Sequence, residues 1–183
     1  MRAGFSCAVG FLLLFLLLPG CGAPPASLLH APYFPSRDGA LRYRLPAGWF
    51  DATNDSQAVG NSIWLLREDY GATISVSEVH MDDDARRELN GGGLLGVARL
   101  SMGLAAGGKA VVVQKAPQLF TMNGNDYVSY EYLVPASGDE IRVVVLSANG
   151  RFFMVTALST RDKRSGGNDV FAVEQEFVAM LRW

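Results

Sequence analysis

Residues 118 to 159 hold the pattern that most restricts this chain. Apolar, largely β-branched and aromatic stretches at 118–122, 127–134, 141–148 and 152–159 are separated by Asn123-Gly124, by Pro135 to Glu140 and by Asn149-Gly150. Asn-Gly pairs tolerate the positive φ that two-residue hairpin turns require. Four strands joined by three tight turns form an antiparallel meander. Its strands are apolar on both sides. Val128, Tyr130, Tyr132 and Val134 share one face, Val143 and Val145 oppose Val144 and Leu146, and Phe152 and Met154 oppose Phe153 and Val155. A sheet with one wet face alternates apolar with polar, so this meander needs a cover on each side.

Two segments have helical spacing and can supply the covers. In residues 169–182, Val170, Val173, Phe177 and Leu181 form a stripe, with Glu174, Gln175 and Glu176 read as lying outside it. Asn168 or Asp169 suits the N-cap. Within 83–105, Leu94, Val97, Leu100 and Leu104 form a second stripe. Gly91-Gly92-Gly93 interrupts that segment, so its helix is expected from about Leu94. Further strands are expected at 40–45, 62–68, 72–79 and 109–115, with Pro46-Ala47-Gly48 turning the chain before Trp49. One helix on each face of a mainly antiparallel sheet is a three-layer α/β/α sandwich of the α+β class.

The N-terminus carries an address. One charge, Arg2, precedes an apolar run from Phe11 to Leu18. That is the layout of a secretory signal, and the run is shorter than the about 20 residues needed to span a bilayer. It ends in Leu18-Pro19-Gly20-Cys21, which resembles the lipobox of bacterial lipoproteins. The resemblance implies that residues 1–20 are a signal peptide and that Cys21 carries acyl chains as the first mature residue. It also implies that the protein is exported and membrane-anchored, facing the periplasm. Gly22 in place of Asp points to the outer rather than the inner membrane. Cys7, the only other cysteine, falls in the removed part, so no disulfide is expected. Cleavage removes Arg2 and no acid, leaving 15 basic against 18 acidic residues, net −3. This balance excludes a dedicated nucleic-acid binder. Residues 21–38, with Pro24, Pro25, Pro32 and Pro35, read as the lipidated cysteine and an extended tether, followed by a single domain over 39–183.

The order of strands, central helix, meander and final amphipathic helix resembles the PsbP-like superfamily. So do Leu45-Pro46-Ala47-Gly48-Trp49 near the start and Asn149-Gly150-Arg151-Phe152-Phe153 before the final helix with its Phe177. That superfamily includes the photosystem extrinsic protein, a Ran-binding nuclear import factor and bacterial envelope lipoproteins. The resemblance implies the fold and carries no catalytic motif with it.

Candidate chemistry is sparse. The two histidines are His30, in the tether, and His80, at a strand end, and no Gly-x-Ser-x-Gly elbow accompanies them. Gly91-Gly92-Gly93-Leu94-Leu95-Gly96 matches a dinucleotide fingerprint as a string. It lacks the preceding strand and the acid about 20 residues on, so it reads as a flexible turn with close helix–sheet packing. His80 with Asp82, Asp83 and Asp84 is the one ligand-like cluster. An EF-hand frame from Asp82 fails, with Arg87 at the glycine position and Gly93 at the glutamate position. The run is read as an acidic helix start, and no metal or other cofactor is expected. Arg161, Lys163 and Arg164 precede the last helix and, with Arg151, are the candidate contact for an acidic partner or anionic headgroups. Each charge is worth about 1 kcal/mol there.

These readings lead to a lipid-anchored envelope protein that acts as a non-enzymatic binding or assembly module with an envelope protein as partner. The alternatives are a carrier or chaperone for apolar ligands or transmembrane segments, and an enzyme without a recognisable motif.

Overall fold

The computed structural model describes residues 32–81, 92–106, 110–160 and 167–183. A small antiparallel pair, β1 (Phe34–Pro35) with β2 (Arg42–Tyr43), precedes the main sheet. The main sheet contains β3 (Trp49–Asp51), β4 (Ile63–Arg67), β5 (Ala72–Glu78), β6 (Val112–Met122), β7 (Asn125–Val134), β8 (Asp139–Ala148) and β9 (Arg151–Ser159). Helix α1 (Gly93–Ala106) falls between β5 and β6, and α2 (Gly167–Met180) follows β9. The strand order is β3-β4-β5-β9-β8-β7-β6, antiparallel throughout. The chain thus lays down one meander and crosses to the far edge with α1. It then returns through the second meander until β9 docks beside β5.

Both Asn-Gly turns form as expected. Asn123 and Gly124 have φ of 53° and 79°, and Asn149 and Gly150 have 52° and 74°. Positive φ at both central residues gives the hairpin twist that matches the strands. Between β7 and β8 the Gly138 amide donates to the Val134 carbonyl at 2.7 Å.

The two faces bury separate cores. On the α2 side Ile74, Val144, Leu146, Phe153 and Val155 meet Val170, Phe177, Val178 and Leu181. On the α1 side Val128, Tyr130, Val143 and Val145 meet Val97 and Ala98. Helix α1 packs on β6, β7 and β8, and α2 on β9 and β5. The three-layer sandwich is therefore as expected, with Phe177 fully enclosed and its ring 6.1 Å from that of Tyr43.

Several details differ from the sequence reading. The stretches at 109–115 and 118–122 are one strand, β6, whose register shifts between Val113 and Lys115 and between Lys115 and Gln118. Bulges absorb Pro117, which has no amide to offer a ladder. Helix α2 starts at Gly167, so Asn168 and Asp169 lie in its first turn rather than at its cap. Glu174 is not outside the apolar stripe but fully buried within it. It lies four residues after Val170 and three before Phe177, which is the same helical face. In α1 the stripe is rotated: Val97 and Ala98 are buried, whereas Leu100 is 42% and Leu104 71% exposed. Packing also begins ahead of residue 39. Ser36 is buried and receives the Leu41 amide at 3.0 Å, and the Arg37 amide donates to the Ser62 carbonyl at 2.8 Å. The last part of the expected tether is thus held against the domain.

Candidate functional site

Strand alternation places Tyr130 and Tyr132 of β7, Val143 of β8 and Met154 and Thr156 of β9 on the α1 face. The register confirms the grouping, since Tyr130 stands opposite Val143, and Val143 opposite Thr156. Above them α1 presents Val97, Ser101, Leu104 and Ala105 at helical spacing. These residues, with Leu100 and with Val79 beyond β5, line a cavity of about 360 Å³. Ser101 and Ala105 are small, and that is where space remains between helix and sheet. Leu100 and Leu104 line the cavity and are also solvent-exposed, so they form its mouth.

Among the described residues the lining carries no charged side chain. Its polar groups are hydroxyls. Ser101 Oγ donates to the Ala98 carbonyl at 3.0 Å, and Tyr130 Oη lies 2.9 Å from Ser101 Oγ. Either hydroxyl can be the donor of that second contact. Burial pushes the Tyr130 phenol up to about 12 and raises that of Tyr132 as well. Both rings, stacked with centroids 6.2 Å apart, are neutral at physiological pH. Such a site can enclose an apolar group and hydrogen-bond a neutral one; it offers no charge to bind an ion.

The site residues expected from sequence are placed elsewhere. Cys21, Asp82, Asp83, Asp84, Arg161, Lys163 and Arg164 lie outside the described residues, as does His30. His80 is exposed just beyond β5. Arg151 is committed to a different network. Its guanidinium pairs with Glu78, Nε donating at 2.8 Å, and reaches Asp38 at 2.7 Å. The Arg151 hydrogen bonds hold the Glu78 carboxyl below its usual range. This network ties the segment before β2 to the sheet. Gly93, in the fingerprint-like string, has φ of 49° with no atom within 4 Å of where a Cβ would sit. It serves the turn into α1.

The cavity was not foreseen from the sequence. Its one signal was Ser101, a hydroxyl four residues after Val97 on an apolar helix face.

No protein-family model and no curated protein matches this chain in sequence. Its fold is PsbP-like. The solution structure of cyanobacterial PsbP (CyanoP) from Synechocystis sp. PCC 6803 is similar with a TM-score of 0.58 at 12% identity, over 82% of this chain and 91% of that one. LpqN of Mycobacterium tuberculosis, a protein involved in cell envelope biogenesis, is similar with a TM-score of 0.52 at 12% identity, over 83% and 90%.

Proposed function

We propose that this chain is an exported, lipid-anchored module of the cell envelope that works by binding rather than catalysis, and that it binds an apolar ligand in the α1-side cavity. The cavity carries the reading, because it is apolar, uncharged and opens beside exposed leucines. Ligand sites are concave and mostly apolar, with a few placed polar groups, and this one fits that description. The envelope setting is supported by the lipobox-like Leu18-Pro19-Gly20-Cys21 and by the role of LpqN, which shares the fold. Acyl chains on Cys21 hold the module at the membrane, Gly22 favours the outer membrane, and the Pro-rich segment after Cys21 is the tether.

Of the two binding roles, carrier and assembly platform, the cavity favours the carrier. A platform needs a broad surface, whereas a recessed apolar space serves a ligand that must be kept from water. An envelope protein that hands over or receives that ligand is the expected partner.

Mass spectrometry of the protein purified from the envelope fraction tests this. Wild type should carry an apolar small molecule or peptide, and Ala105→Trp, which fills the cavity, should not. A clean wild-type protein, or equal loading of the two, contradicts the reading.

A further inference from the structure

Two quantities narrow what the cavity can take, given that it is a carrier site. The first is volume. The cavity holds about 360 Å³. It lies near the small end of ligand pockets, roughly 300–1,000 Å³. That size suits one aliphatic chain.

The second is charge. Among the described residues the lining contains no Lys, Arg, His, Asp or Glu. An ionised head drawn into it would lose its water with no counter-charge, which costs far more than burying a hydroxyl that finds a partner. Tyr130 Oη and Ser101 Oγ lie 2.9 Å apart, and both hydroxyls can hydrogen-bond a neutral polar head. Thr156 and Tyr132 supply the other hydroxyls, and these too are neutral.

We infer that the cavity takes a single aliphatic chain with an uncharged, hydrogen-bonding head, such as an alcohol, and rejects the same chain with an ionised head. Tyr130 and Ser101 are the residues that set this preference.

The test uses the full chain carrying Cys21→Ser, so that no acyl chain of its own competes. It is titrated calorimetrically with 1-decanol, decanoate and decylammonium at pH 8, where the carboxyl and the amine are both ionised. The expected result is one saturable site for decanol, at least tenfold tighter than for either ion and lost in Ala105→Trp. Tyr130→Phe keeps the ring and removes the hydroxyl. It should shrink the advantage of decanol over decanoate by about two- to tenfold, the worth of one hydrogen bond. That arm stands even if Ala105→Trp fails to fold. Decanoate or decylammonium binding as tightly as decanol overturns the neutral-head inference and leaves the carrier reading intact. No binding of any of the three by a protein with a cooperative melt overturns both.

Discussion

The Oε2 atom of Glu174 lies 3.3 Å from Nε of Arg142, and the Glu174 side chain is fully shielded from water between α2 and the sheet. Arg142 stands opposite Glu131 across β7 and β8, and Glu131 is itself paired with Lys115 at 2.9 Å. A carboxyl and a guanidinium therefore meet inside the α2-side core, one step from a second ion pair nearer the surface. Burial pushes the Glu174 carboxyl well above its usual range; Arg142 pulls it down, and the Glu131 carboxylate pushes it up.

A pH dependence follows from that direction. In the unfolded chain Glu174 loses its proton near the ordinary value, about 4.3. In the folded protein it holds the proton to higher pH, so the native state binds more protons across that window and stability falls as pH rises through it. Its contribution is most favourable below the unfolded value and is lost by the time pH passes the folded one. Replacing Glu174 with Gln removes the titration. The melting temperature of Glu174→Gln relative to wild type should become more favourable between pH 5 and pH 8. A difference that does not change with pH contradicts the account.

Phe177 is fully buried against the sheet and Tyr43, while Gln175, two residues away, is exposed. Phe177→Ala should cost about 3–5 kcal/mol, a large share of the roughly 5–15 kcal/mol that holds a domain together. Gln175→Ala should stay within about 0.5 kcal/mol. Urea unfolding measures both, and equal midpoints for the two variants would remove α2 from the core.

What the sequence made legible depends on how local the physics was. The Asn123-Gly124 and Asn149-Gly150 turns were readable because positive φ is a demand that few residue pairs meet. The two-sided apolar strands made the need for two covering helices readable as well. The stretches at 109–115 and 118–122 read as separate strands, because bulges that accommodate Pro117 within one strand leave no mark in the pattern. Glu174 was placed outside by its polarity although its spacing from Val170 and Phe177 put it inside; only the position of Arg142 on a strand over 30 residues earlier makes that burial tolerable. The cavity depends on the distance between α1 and three strands at once, and no local spacing encodes such a distance.

Anchoring is tested at Cys21. Cys21→Ala should move the protein from the membrane fraction to the soluble fraction or leave it uncleaved, as judged by fractionation and migration. A variant that behaves like wild type would show that the Leu18-to-Cys21 element is not a lipidation signal.

Calcium should leave the melting temperature unchanged, because the Asp82–Asp84 run follows no known binding frame and suits a helix start. A saturable heat of calcium binding that disappears in an Asp82→Asn, Asp84→Asn double variant would make that run a metal site.

The claim that the α1-side cavity binds an apolar ligand in the envelope is tested most directly by photo-crosslinking in cells. A benzophenone amino acid is placed at Leu104, on the mouth of the cavity, and in a control at Val59, which is 83% exposed and not part of the lining. The account predicts a covalent adduct with an apolar small molecule at position 104 and none at 59. The same adducts at both positions, or protein adducts alone at 104, would contradict it.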